Sequence, residues 1–275
     1  MTIDLVFITF NRLEYTKLAL ASVLADPQEN FSLTIWDNAS TDGTVEYLKN
    51  HVSDNRIADI IFSAKNIGQI EAVNQIWSKS KADLLGKLDN DCIMTPGWTR
   101  QLSQAHKDIE NLGVVACWHF APEEFDYERA RKKIQTFDKH QILRHPWTCG
   151  TGLLIKNDTY RKFGPLHGKR TTQYWINMAL KGYINGFYYP LVYQEHMDYV
   201  WSKHYAFSNN LKEGLKMSVS AGGWGIETVN QAKVSHNRIL KNILDGPWDA
   251  KHYIGWRGKL RRFKKKFRSN LKANK

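Results

Sequence analysis

The chain is poor in cysteine, has no acidic residue near its C-terminus, and lacks long apolar runs. Its three cysteines are Cys92, Cys117 and Cys149, and no two of them are spaced Cys-x-x-Cys. That argues against a disulfide framework or a zinc site and fits small buried thiols in a reducing compartment. No apolar run approaches the roughly 18 residues of a membrane span. The strand-like Ile3–Ile8 has no basic flank before it, so no secretory leader is expected. Residues 251–275 contain eleven Lys or Arg and no Asp or Glu. The net charge of +12 therefore leaves only +1 (12 − 11) for the first 250 residues. A basic tail, not a basic groove, carries the charge, which argues against a nucleic-acid partner.

What is present is the make-up of a globular α/β protein. At 275 residues the chain can form one large or two small domains. The first 118 residues alternate strand and helix patterns. Strands are expected at Ile3–Ile8, Leu33–Trp36, Ile57–Phe62, Leu84–Leu88 and Gly113–Trp118. Helices are expected at Arg12–Leu24, Thr44–His51 and Gln69–Ser80, with a further one opened by Pro96. Asn11 is expected to cap the first helix, and Asp42 or Thr44 the second. This alternation predicts a parallel sheet covered by helices, with the Asp- and Asn-rich turns gathered along one edge. Residues 121–145 show no clear period. Beyond them, Cys149–Ile155 reads as a strand entered through glycines, Gln173–Leu180 as a helix and Phe187–Val192 as extended. No internal repeat or low-complexity linker is evident.

The most informative stretch is Asp89-Asn90-Asp91, directly after an apolar strand. If the strand continued, the two carboxylates would share one face. At the C-terminal lip of a buried strand they would face the crevice in which open α/β sheets bind ligands. Hard oxygen donors there suit Mg²⁺ or Mn²⁺ carrying phosphates. Three further motifs agree: Thr9-Phe10-Asn11-Arg12, Trp36-Asp37-Asn38-Ala39-Ser40-Thr41-Asp42-Gly43-Thr44 and Asn66-Ile67-Gly68, each following an expected strand.

Together these motifs resemble glycosyltransferase family 2 and its relatives with the GT-A fold, over roughly residues 1–200. The resemblance implies a Rossmann-like, mostly parallel sheet flanked by helices; the basic C-terminal helical tail that follows is read from the sequence pattern itself. It implies a nucleotide-sugar-binding half over residues 1–120, an acceptor-binding half of the same domain over 121–205, and a C-terminal extension over 206–275. It also implies a donor site at Thr9, Asn11, Arg12, Asp37, Asn66, Gly68, Asp89, Asn90, Gly150 and Gly152, with Asp37 accepting a hydrogen bond from a base N–H. A divalent metal, Mn²⁺ or Mg²⁺, would be held by Asp89, Asp91 and His196, the last resembling the family's late histidine. The donor would be a nucleoside-diphosphate sugar, with UDP favoured and GDP also compatible.

One departure stands out. Where many inverting members carry a base, this chain has Lys169-Arg170-Thr171-Thr172-Gln173-Tyr174-Trp175, with no carboxylate. Three explanations stay open: Glu195 or Asp198 serves as base, the acceptor needs no strong base, or the reaction retains configuration. The departure also keeps open a non-catalytic nucleotide-sugar-binding protein. A sugar nucleotidyltransferase is disfavoured because the first loop lacks the glycines of a phosphate-binding turn. His145, Trp147 and Trp175 are candidates for stacking on a sugar.

In the tail, Leu260, Phe263, Phe267 and Leu271 fall on one helical stripe among Lys and Arg. That composition fits an interfacial helix on an anionic bilayer through residues 257–275. The expectation is a cytoplasmic protein at the inner membrane face, acting on a glycan or lipid-linked acceptor in cell-surface polysaccharide or lipopolysaccharide synthesis.

Overall fold

The computed structural model describes residues 1–27, 31–168, 171–208, 210–223 and 225–258. Among these, nine strands form one sheet in the order β3-β2-β1-β4-β9-β6-β10-β8-β7. The strands are β1 Ile3–Thr9, β2 Phe31–Asp37, β3 Ile57–Phe62, β4 Leu84–Asp89, β6 Leu112–Ala116, β7 Ile134–Phe137, β8 His140–Arg144, β9 Leu153–Lys156 and β10 Ile184–Tyr189. Two of them, β8 and β9, run against the other seven. The sheet is thus mostly parallel, as expected, but not wholly so. The antiparallel β9 lies between β4 and β6, and the apparently aperiodic stretch 121–145 contains the β7–β8 hairpin that extends the far edge.

Alternation along β1 explains the layering. Ile3, Leu5 and Phe7 join one apolar layer with Leu20 and Val23 of α1 (Leu13–Leu24) and with Trp98 and Leu102 of α4 (Trp98–Asp108). Val6 and Ile8 join the opposite layer with Val73 and Trp77 of α3 (Gln69–Trp77) and with Trp175 and Met178 of α7 (Thr171–Leu180). Four tryptophans, Trp77, Trp98, Trp118 and Trp175, are fully buried in these layers.

The parallel register sets the functional edge. Thr9 pairs with Asp37 and Ile8 with Asp89, so β1, β2 and β4 end at one level. The turns after them are cross-linked by side chains. Asp42 Oδ2 accepts from the Leu13 N–H and Oδ1 from the Thr44 N–H. One carboxylate therefore serves the starts of both α1 and α2 (Thr44–His51). Asn11, expected as the cap of α1, instead accepts from the Thr41 N–H through Oδ1. Asn38 Oδ1 accepts from the Ile67 N–H, tying the second turn to the third. α4 starts two residues after Pro96, with Gly97 in the left-handed region at φ 82°.

A second, two-stranded sheet lies beyond the end of β4. β5 (Cys92–Met94) pairs antiparallel with β11 (Gln194–His196), bringing His196 opposite Cys92. The chain then crosses α1 and forms three helices: α8 (Leu211–Met217), α9 (Val219–Gly223) and α10 (Val229–Asp245). The four-residue α5 (Tyr127–Ala130) and α6 (Asn157–Phe163) complete the helices. The expected tail helix from Leu260 to Leu271 lies outside the described residues, as do Lys169 and Arg170.

Candidate nucleotide-sugar and metal site

The site is built where β1, β2 and β4 end. Asp37 is buried at the end of β2. Its Oδ2 accepts from the Ser40 N–H at 3.0 Å, while Oδ1 has no hydrogen-bond partner among the described residues. A buried carboxylate oxygen without a partner is costly unless a ligand donates to it. Gly68 stands at φ 82°, a conformation that favours glycine, and nothing crowds its Cβ position. Asn66 Oδ1 accepts from the Gly68 N–H and shapes that turn. Asp37 and the Asn66–Gly68 turn are thus neighbours, tied through the Asn38 Oδ1–Ile67 N–H bond.

Thr9 and Asn90 have an inward role. Asn90 Nδ2 donates to Thr9 Oγ1, Asn11 O and Thr16 Oγ1 at 3.2, 2.9 and 3.0 Å. Both side chains are buried in this knot and hold the turn between β1 and α1 in shape. Asn90 was expected at the donor; the structure turns its amide toward the protein.

The two aspartates do not share one face, because β4 ends at Asp89 and the chain turns before β5. Asp89 Oδ1 accepts from Lys87 Nζ at 2.5 Å, and the same ammonium donates to Gly150 O at 2.7 Å. Burial pushes the Asp89 carboxyl up and the Lys87 charge opposes this; the net direction is upward. Asp91 points elsewhere. Its Oδ2 accepts from Arg12 Nη2 at 3.1 Å, and its Oδ1 lies 4.0 Å from His196 Nε2. Burial alone would raise Asp91, but His196 and the Arg12 guanidinium reverse this and hold it at about 2.

Asp91, Cys92 and His196 have ligand atoms within 4.8 Å of one another. A carboxylate oxygen and an imidazole nitrogen so placed could hold a divalent ion. His196 comes late in the sequence, and only the pairing of β11 with β5 delivers it here. Cys92 offers a weaker case, because burial pushes its thiol well up.

The base candidates are engaged. Glu195 Oε1 accepts from Ser202 Oγ at 2.8 Å and lies 3.2 Å from His204 Nδ1. Asp198 Oδ2 accepts from Arg12 Nη1 at 3.0 Å, and its Oδ1 is buried without a partner.

A cavity of about 110 Å³ opens beside Lys87, the partner of Asp89, and is lined among others by Gln69, Gly150, Gly168, Thr171 and Trp175. Gly150 leaves open space where a side chain would stand. Gly152, at φ 60°, is closed off by Gln194, whose side chain occupies the room a Cβ would need. Gly150 thus meets the cavity, whereas Gly152 serves packing. Of the stacking candidates, Trp175 is buried but reaches this cavity, while His145 and Trp147 pack edge-on against Tyr253.

A model described as glycosyl transferase family 2 matches residues 4–166, more than half of the chain. The chain belongs to glycosyltransferase family 2.

No curated protein sequence matches this family 2 chain significantly. Solved structures do resemble it. One is the mannosyltransferase PcManGT from Pyrobaculum calidifontis, in complex with GDP-Man and Mn²⁺ (TM-score 0.54, 16% identity, 67% of this chain and 54% of that one). The chain therefore spans about half the length of that neighbour. Another is TarS 1–349 from S. aureus (TM-score 0.54, 10% identity, 95% of this chain and 92% of that one). A third is the same TarS fragment in complex with UDP-GlcNAc (TM-score 0.53, 11% identity, 89% and 82%). At these identities the likeness establishes the GT-A fold.

Two residues of this family 2 site escaped the sequence reading. Lys87 sits inside an apolar strand, where a lysine carries no motif. Cys92 passed for a small hydrophobe. In both, the available signal was a polar atom flanking the Asp pair.

Proposed function

We propose that the chain is a divalent-metal-dependent glycosyltransferase. It moves a sugar from a nucleoside-diphosphate sugar to a glycan or lipid-linked acceptor in cell-surface polysaccharide or lipopolysaccharide synthesis. The observation carrying this reading is that Asp91 Oδ1 faces His196 Nε2 at the sheet edge where Asp37 holds a buried unpartnered oxygen. In this reading Asp37 Oδ1 accepts a base N–H, which uracil and guanine both offer. Gly68 permits close backbone approach, and Asp91 with His196 holds Mn²⁺ or Mg²⁺. When bound, such an ion stabilises the charge that grows on the leaving diphosphate. Asp89 braces Lys87 against Gly150 beside the cavity, where the donor sugar would lie. Asp198 is the better placed base candidate, since its Oδ1, near the Tyr15 hydroxyl, accepts no hydrogen bond among the described residues, while Glu195 is held by Ser202 and His204.

The test uses thermal stability with a panel of UDP- and GDP-sugars in Mn²⁺. A true donor at 100 times its Kd should stabilise the fold by about 2.7 kcal/mol. The shift should vanish in Asp37→Ala. A shift that survives that substitution removes Asp37 from the base pocket; no shift with any donor refutes the reading. The start of α7 carries Thr171 and Thr172 and no carboxylate, which favours a non-catalytic nucleotide-sugar-binding protein as the second reading. Metal-dependent turnover of the stabilising donor decides between the two.

We also propose peripheral attachment to the inner membrane face through residues 257–275. No helix among the described residues is long and apolar enough to cross a membrane. Exposed Trp248, Ile254 and Trp256 immediately precede the basic segment, and interfacial tryptophans suit such a surface. Each basic residue near an anionic surface contributes about 1 kcal/mol. Deleting residues 257–275 should therefore lower binding to phosphatidylserine-rich vesicles at least about a hundredfold. Binding that does not change on deletion excludes this attachment.

A further inference from the structure

Arg12 stands at the turn between β1 and α1 with φ 61°, directly after Asn11 at φ 53°. Two successive non-glycine residues in the left-handed region are uncommon. The turn aims the guanidinium inward, with its side chain only 9% exposed. Nη2 donates to Asp91 Oδ2 at 3.1 Å and Nη1 to Asp198 Oδ2 at 3.0 Å. A planar fork suits two carboxylates at once, whereas a lysine offers a single point charge. The family resemblance placed Arg12 near the nucleotide; its contacts place it on the metal side.

We propose that Arg12 is the resident counter-cation of the Asp91–His196 centre. Its charge weakens divalent-ion binding there, and its fork ties the segment after Asp198 to the centre. This rests on the reading that Asp91 and His196 hold the ion.

Asp91 and Asp198 are both buried, and buried carboxylates need compensating charge. Arg12 supplies it through one oxygen of each. That arrangement leaves Asp91 Oδ1 facing His196 and Asp198 Oδ1 unpartnered. An ion bound to Asp91 Oδ1 would share that carboxylate with a guanidinium that cannot lose its proton. The fixed positive charge repels the ion in a partly desolvated place, where Coulomb interactions are strong. Binding of the ion alone is therefore weak, and a diphosphate adds the missing negative charge. Ion and donor are thereby expected to bind together. The tie extends outward through Asp198 into residues 199–208, which lie across α1. There the Tyr15 hydroxyl donates to the His204 carbonyl, and the Arg12 guanidinium lies 5.4 Å from the Tyr15 ring centroid.

The test titrates Mn²⁺ alone into the full chain by calorimetry and reads amide hydrogen exchange over residues 199–208. Arg12→Gln should bind Mn²⁺ at least about tenfold more tightly than wild type. Arg12→Lys, which keeps the charge, should stay within about threefold of wild type. Both should exchange faster over 199–208, because neither can fork between the carboxylates. If Arg12→Gln binds no tighter, or Arg12→Lys binds as tightly as Arg12→Gln, the counter-cation role is wrong. Exchange that does not change in either variant removes the tie. If Arg12→Gln does not fold, Asp198→Asn replaces it: leaving the guanidinium less compensated should weaken Mn²⁺ binding, and tighter binding overturns the proposal. His196→Ala separates this from the underlying reading. If it binds Mn²⁺ like wild type, the centre itself is misplaced. If it loses Mn²⁺ while Arg12→Gln gains nothing, only the Arg12 proposal falls.

Discussion

Asp91→Asn is expected to reduce sugar transfer, or hydrolysis of the donor, about 10³-fold at saturating Mn²⁺. A charged ligand facing His196 is replaced by a neutral amide, and several kcal/mol of stabilisation of the leaving diphosphate goes with it. The change also leaves Arg12 with Asp198 as its single carboxylate partner, adding net positive charge where an ion must bind. Both effects act on the metal and neither on the base pocket. The variant should therefore keep metal-independent affinity for the free nucleoside within a few-fold of wild type. Initial rates across a Mn²⁺ series, with nucleoside binding measured alongside, check this. A variant within tenfold of wild type at all Mn²⁺ concentrations shows that Asp91 is not the metal carboxylate.

Acidification should destabilise the fold from about pH 6.5 downward. His106, on α4, is fully buried and bonds through Nε2 to the Leu154 carbonyl at 3.1 Å. Its other ring nitrogen has no partner. Burial pulls its titration from 6.5 down to about 3. His119, also buried, is pushed down as well, by burial first and then by the charges of His196 and His236. The unfolded chain binds protons below about pH 6.5, while the folded chain holds these rings neutral. Stability from His106 is thus fully present above pH 6.5 and is lost as pH falls toward 3. The loss from His106 alone reaches roughly 4–5 kcal/mol at the acid end, a large share of the 5–15 kcal/mol typical of a domain. Urea unfolding between pH 7 and pH 4 measures it. His106→Gln, which keeps a donor for the Leu154 carbonyl, should flatten the pH slope. An equal slope in that variant excludes His106 as its source.

The first 120 residues were legible because their strands are followed by polar turns whose chemistry survives in sequence. Asp37 and Asp91 fell at or just past the ends of their strands, which the register of β1 with β2 and β4 brings to one level, and Gly68 fell in the turn between β3 and α3. The direction of β9 was not legible. Leu153–Lys156 is a short apolar run, and nothing in such a run distinguishes parallel from antiparallel pairing. The β7–β8 hairpin was hidden for a related reason: Ile134–Phe137 is an edge strand that is mostly half-buried, so it shows no clean alternation. The geometry of the candidate site lies deeper still. The separation of Asp89 from Asp91 depends on a turn after β4, and the arrival of His196 on pairing between two three-residue strands, too short to leave a period. Asn90 shows the opposite case: a residue inside the motif whose amide faces oxygens at the end of β1, in the turn after it and in α1.

The place of β9 has a consequence for how the chain is made. β4 and β6 face each other across a gap that only residues 153–156 fill. During synthesis both strands emerge from the ribosome with a bare edge, and bare edges are the sites at which nascent chains pair wrongly. Residues 1–120 therefore cannot be a finished folding unit when residue 120 leaves the exit tunnel. It must wait for a strand encoded after the hairpin, so the two halves are made sequentially but closed together.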